Sequence, residues 1–167
     1  MVTIRSATSA DMPAVADLWH EGWHDGHAGH VPDGLTALRT RAAFHERTAD
    51  RVADTTVAVD QSGEVVLGFV MVAGDELEQV FVGRAARGTG LAALLLAEGE
   101  RQVAVAGHDE AWLAVVAGNS RARRFYEKRG WHDAGDLPYE VSAGGRTWIS
   151  PCRRYTKRLS SERITRS

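Results

Sequence analysis

One run of residues constrains this chain more than any other: Val80-Phe81-Val82-Gly83-Arg84-Ala85-Ala86-Arg87-Gly88-Thr89-Gly90-Leu91-Ala92. An apolar strand leads into a glycine turn, and the turn opens a helix that the pattern places from Ala92 to Ala106. Gly88 and Gly90 lack a Cβ, so an anion can approach the main chain there. The first N–H groups of a helix have no internal partner, and the helix dipole is positive at that end. Strand, bare turn and helix start together suit a phosphate; the same glycines would also serve a tight turn that needs them for geometry alone. Gly88 to Ala93 also fits the dinucleotide pattern G-x-G-x-x-G/A. The context argues against it. Gly83 to Arg87 separate strand from turn, several strands precede it, and Asp109 and Glu110 come before the next strand rather than at its end.

The remaining elements follow in order. Val2 to Arg5 is a short strand. Ser9-Ala10-Asp11 offers a cap, and Met12, Val15, Leu18, Trp19 and Trp23 then recur at helical spacing. His24 to Pro32 is expected to be a loop because of its glycines and Pro32. A second helix is expected from Leu35 to about Thr48. Thr55 to Val59, Val65 to Val72 and Glu76 to Val82 read as strands, with strict alternation placing Glu78 opposite Leu77, Gln79 and Phe81. Trp112 to Ala117 is an apolar strand suited to a sheet centre. Ser120 to Arg129 is a helix between Asn119 and Gly130, and Trp131 to Val141 with Arg146 to Lys157 forms a hairpin. The expected fold is therefore a mixed α/β (α+β) sandwich. It forms one domain over residues 1–159, with a polar, frayed tail at 160–167. A net charge of −2 gives no reason to expect nucleic acid. The single Cys152, and the absence of an apolar leader or an 18-residue apolar run, point to a cytoplasmic protein without a membrane partner.

A second stretch is informative: Asn119-Ser120-Arg121-Ala122-Arg123-Arg124-Phe125-Tyr126-Glu127-Lys128-Arg129-Gly130-Trp131. Ala122, Phe125, Tyr126 and Arg129 share one helical face, ringed by positive charge. By itself this is a capped amphipathic helix with a solvated basic side, or a helix beside a phosphate-rich ligand. In combination with the first stretch it carries a resemblance. The chain resembles the GCN5-related N-acetyltransferases, the GNAT superfamily. Arg87-Gly88-Thr89-Gly90-Leu91-Ala92 matches that family's Q/R-x-x-G-x-G/A acetyl-CoA motif. Asn119, Ala122, Phe125, Tyr126, Gly130 and Trp131 match its N-x-x-A-x-x-F/L-Y-x-x-x-G-F/W pattern. The close match spans about residues 64 to 131, and the element order extends over nearly all of the chain.

The resemblance implies a GNAT-type fold, a mostly antiparallel sheet with one splayed parallel pair and helices on both faces. It implies acetyl-CoA as the acyl donor and a primary amine, on a small molecule or a protein, as the acceptor. The loop Arg87 to Ala92 would hold the pyrophosphate, including Gly88, Thr89, Gly90 and Leu91. Pantetheine would pair with Val80, Phe81 and Val82, and a main-chain N–H near Val82 would polarise the thioester. Asn119, Ala122, Arg123, Phe125 and Lys128 would complete the cofactor contacts. An alkyl ammonium near pKa ~10.4 must lose a proton before it can attack. Tyr126 would be the acid for the leaving thiolate. Glu78 is the expected base, with Glu76, His27 and His30 as alternatives. Trp23, His27 and His30 would face the acceptor. Many relatives pair, so a homodimer is one expected state. His20, His24 and His27 could share a helical face at zinc spacing, but no thiol or clear carboxylate accompanies them, so no metal is expected. Cys152 has no base signature around it and is expected to be structural.

Overall fold

The computed structural model describes residues 1–159; the tail expected to fray, 160–167, lies outside the described residues. The strands are β1 (Thr3–Ser6), β2 (Thr55–Val59), β3 (Val66–Ala73), β4 (Glu76–Val82), β5 (Glu110–Val116), β6 (His132–Ala143) and β7 (Arg146–Arg158). The helices are α1 (Met12–His27), α2 (Asp33–Leu38), α3 (Arg41–Thr48), α4 (Leu91–Val105) and α5 (Ser120–Glu127). The strands form one sheet in the order β1-β2-β3-β4-β5-β7-β6. Every neighbouring pair is antiparallel except β4 with β5.

Period-2 alternation divides the strands between two cores. On one face Val57, Phe69 and Met71 pack against Val15, Trp19, Trp23, Leu35 and Phe44 from α1 to α3. On the other, Ala58 and Val70 meet Leu91 and Leu95 of α4. Leu77, Leu113, Trp131 and Tyr155 meet Leu96, Val103 and the apolar stripe of α5 there as well. Full burial of each large apolar side chain stabilises the fold by about 1.5–3 kcal/mol, which fixes α1–α3 above the sheet and α4–α5 below it.

Three details differ from the sequence reading, each for a local reason. The helix expected over Leu35–Thr48 is two helices, because Thr40 takes an extended conformation and its hydroxyl accepts from the Ala43 N–H at 3.2 Å, capping α3. The loop expected from His24 begins after His27, since α1 carries Gly26 within its last turn. The strict alternation expected for β4 fails at Glu78. A register shift between Met71 and Val72 leaves Val72 opposite Leu77 but Met71 opposite Gln79. Glu78 is the extra residue of a bulge. Leu77 consequently packs toward Gly99 of α4, while Phe81 packs toward Gly22 of α1.

Candidate functional site

The only register pair between β4 and β5 is Glu76 with Trp112, next to a Trp112 N–H to Asp75 carbonyl bond of 3.0 Å. Beyond it the strands diverge. The Gly83 N–H donates to the Leu67 carbonyl of β3 at 2.8 Å. Since successive N–H groups of a strand point to opposite edges, those of Val82 and Val80 turn toward β5, where no strand pairs with them. A cavity of 410 Å³ occupies this gap, between Gln79–Val82 on one wall and Leu113–Val116 on the other.

At one end of the gap lies the glycine turn. Gly90 has φ 84° and stands as the N-cap of α4, whose first amides receive no side-chain cap. By contrast, Thr40 caps α3 and Asn119 caps α5. A Cβ placed on Gly88 or Gly90 would meet no atom within 4 Å, so the turn borders open space. Arg87 and Ala92 line the cavity, whereas Leu91 is buried in the core and the Thr89 hydroxyl is engaged by the Ala86 carbonyl. Arg87 donates to Asp25 of α1 at 2.7 Å, and Arg84 to the same carboxylate at 2.8 Å. The Arg84 guanidinium, with Arg87 adding to it, holds the Asp25 carboxyl down at about 2.

From below the sheet, α5 presents Ala122, Phe125 and Tyr126 to the cavity, with Asn119 at its start. Burial pushes the Tyr126 phenol up to about 12. Its hydroxyl bonds to no other described residue. Arg123 is turned elsewhere: it donates to the Tyr155 hydroxyl at 3.1 Å, the Ala117 carbonyl at 3.0 Å and Asp133 at 3.2 Å. Lys128 is exposed away from the cavity, and Arg121 lines it instead.

From above, two carboxylates enter from β4. Glu78 is paired with Arg51. Glu76 accepts from the Tyr139 hydroxyl at 3.0 Å, and burial raises its pKa above the usual carboxylate range. Trp23 and His27 line the same wall, stacked at 4.6 Å with their rings 5° from parallel. His27 Nδ1 bonds to the Trp23 carbonyl at 2.9 Å, and burial pushes this imidazole down to about 4, so it is neutral at pH 7. His30 is exposed and rests on Gly118, outside the cavity lining. Among the described residues no three His, Cys, Asp or Glu side chains converge on a point that could hold a metal. Cys152 and Ser150 close the floor, 3.4 Å apart, with the thiol's pKa raised by burial.

Sequence reasoning did not single out Arg39, Arg47, Arg51 and Tyr139, all of which line the cavity. The arginines sit in a charge-rich segment that reads as solvated. A signal was nonetheless present: Arg39, the C-cap of α2, lies four residues after the buried Leu35, and Arg47 lies three after the buried Phe44 within α3.

Residues 14–131 match the model of the acetyltransferase (GNAT) family. No curated protein sequence matches the chain. Several solved structures share the fold. The PaiA N-acetyltransferase of Thermoplasma acidophilum in complex with coenzyme A superposes with TM-score 0.73 at 18% identity, over 95% of this chain and 99% of its own. A GCN5-related N-acetyltransferase of Rhodopseudomonas palustris gives 0.72 at 21% identity, over 94% and 95%. A GNAT superfamily phosphinothricin acetyltransferase of Sinorhizobium meliloti in complex with acetyl-CoA gives 0.68 at 18% identity, over 95% and 88%.

Proposed function

Because this chain belongs to the acetyltransferase (GNAT) family, we propose that it transfers an acetyl group from acetyl-CoA to a primary amine by direct attack, with both substrates bound at once. The observation that carries this reading is the unpaired main-chain edge of Val80 and Val82 inside an otherwise continuous sheet. That edge leads toward the uncapped start of α4. An extended ligand with amides along its length can add to such an edge as a strand, and pantetheine has that form. A diphosphate at its far end would meet the bare turn Gly88–Ala92 and the positive end of α4.

Each chemical demand has a residue to meet it. The Val82 N–H faces the gap and would donate to the thioester oxygen as it gains charge, a fixed dipole that needs no reorganisation. As the C–N bond forms and the C–S bond breaks, the departing thiolate would take a proton from Tyr126, and the surplus proton of the new amide nitrogen would pass to the resulting phenolate, directly or through water. The resting phenol is protonated throughout the neutral range because burial holds its pKa at about 12. The acceptor ammonium must shed a proton first, and we assign that task to Glu76, directly or through water. What supports Glu76 over Glu78 is environment. Arg51 occupies Glu78, whereas burial lifts Glu76 toward the operating pH, where a general base is most effective.

Release of free thiol from acetyl-CoA in the presence of an amine panel, beside calorimetric titration of acetyl-CoA, tests this reading. Amine-dependent, saturable thiol release is expected. Binding of acetyl-CoA without turnover of any amine would indicate a CoA-binding regulatory domain instead.

A further inference from the structure

The acceptor end of the cavity carries more positive charge than its carboxylates neutralise. Arg39 is 5% exposed, and its Nε has no hydrogen-bond partner. Arg47 has an enclosed Nη1 that is likewise unpartnered. Both line the cavity, and among the described residues neither is paired with a carboxylate. They lie over aromatic faces, Arg47 at 4.3 Å from the Trp19 ring and Arg39 at 6.0 Å from that of Trp23. Such contacts support a cation but leave its N–H groups unsatisfied. Burial lowers both guanidinium pKa values, Arg47 to about 9, yet an arginine is not expected to give up its charge at neutral pH.

The neighbouring groups do not supply the missing anion. Arg51 takes Glu78 and also Asp54. Glu76 is held by Tyr139. His24 bonds to the Arg39 carbonyl rather than its side chain, and His27 is neutral. Asp25 belongs to Arg84 and Arg87 at the other end. Asp54 is exposed and outside the cavity lining, so even with Glu76 ionised, three guanidinium groups (Arg39, Arg47, Arg51) face two carboxylates (Glu76, Glu78) within it. A buried guanidinium without a partner is costly. An oxyanion presented to it is bound by charge-assisted, often bidentate, hydrogen bonds.

We propose that the acceptor is a small amine that also bears a carboxylate, an amino-acid-like molecule whose oxyanion is held by Arg39 and Arg47 while its amine faces Glu76. The size of the cavity supports a small acceptor, since the same 410 Å³ must also admit the acyl end of the donor. This proposal rests on the acetyltransferase reading and adds a substrate class to it.

The test uses matched acceptors: a set of amino acids, the same set as carboxamides, and the corresponding decarboxylated amines. Thiol release should give kcat/KM about 10-fold to 100-fold higher for the carboxylates, the effect of one or two charge-assisted hydrogen bonds. In Arg39→Met and Arg47→Met the gap should shrink to within about threefold, mainly through KM, and Arg47→Lys should restore part of it. Circular dichroism melting identifies any variant that fails to fold; for such a variant the Arg47→Lys comparison stands in. A saturable change in intrinsic tryptophan fluorescence on titration with the same compounds, with Trp19 and Trp23 among the chain's five tryptophans, gives a readout that does not need turnover. Equal or better use of the amides and amines would overturn the carboxylate site while leaving the transferase intact. So would a carboxylate preference undiminished in the arginine variants. Saturable carboxylate binding with no turnover would uphold the anion site and overturn the transferase. Absence of both carboxylate turnover and binding would overturn the site.

Discussion

Replacing Gly90 with alanine separates the fold from the ligand at the glycine turn. Gly90 sits at φ 84°, ψ 0°, and a Cβ added there meets no atom within 4 Å. The methyl therefore fits the unliganded protein, and the cost to folding is conformational. A left-handed alanine costs about 1–2 kcal/mol. Reduced freedom of the unfolded chain returns about 0.4–1 kcal/mol, leaving a net loss of about 1 kcal/mol. For a chain of this size that lowers Tm by about 2–4 °C. The ligand meets a larger penalty, because the methyl stands in the space through which phosphate oxygens would reach the first amides of α4. Losing one such charge-assisted hydrogen bond costs about 1.5–3 kcal/mol, so acetyl-CoA should bind about 10-fold to 100-fold more weakly. Calorimetric titration at 25 °C beside a melting curve measures both. A Kd within about twofold of the parent protein, alongside the small fall in Tm, would refute a diphosphate at this turn.

Four further outcomes are expected. Tyr126→Phe should lower kcat by about 10²-fold to 10⁴-fold with acetyl-CoA affinity nearly unchanged, the usual range for a lost general acid; an unchanged rate removes Tyr126 from the chemistry. Glu76 must be ionised to accept a proton, and burial raises its pKa. Thus kcat/KM should fall as pH drops through a value above the ordinary ~4.3, and Glu76→Gln should abolish that limb, whereas its persistence there and loss in Glu78→Gln would transfer the role to Glu78. The Asp11 carboxylate accepts from Arg5 at 2.7 Å and from the Thr8 N–H at 2.7 Å, and Arg5 holds its pKa down at about 2. Its stabilisation is therefore present above the unfolded pKa near ~4 and lost as pH falls toward about 2, so Asp11→Asn should cost about 1–2 kcal/mol at pH 7 in urea melts and flatten that acid dependence. Phe44 is fully buried with its ring 5.3 Å from that of Trp19, so Phe44→Ala should cost about 3–5 kcal/mol.

The elements that form this fold were legible where periodicity and punctuation agree. The stripe Val15, Trp19 and Trp23 placed α1, and Gly83 to Ala92 placed the turn before α4. The parallel pairing of β4 with β5 and its divergence came only through family resemblance, because local pattern does not encode how two strands meet. The bulge at Glu78 escaped for a related reason: one extra residue changes which face a side chain takes without changing composition. For the candidate site, the sequence showed the two chain-local motifs that the fold brings to the cavity: Arg87 to Ala92, and Asn119 to Tyr126. Arg39, Arg47, Arg51 and Tyr139 were not legible, since they reach the cavity from segments distant in sequence, and a charged residue turned inward looks like one turned outward until its neighbours are known. Arg123 shows the converse. It belongs to a matching motif, yet Tyr155, Asp133 and the Ala117 carbonyl hold it away from the gap.

The most direct measurement is a crystal structure of the protein grown or soaked with acetyl-CoA. Density for an extended pantetheine between β4 and β5, its amides on the main chain of Val80 and Val82 and its diphosphate on Gly88 to Ala92, is the expected result. Density elsewhere on the molecule, or none at a saturating concentration, would contradict it.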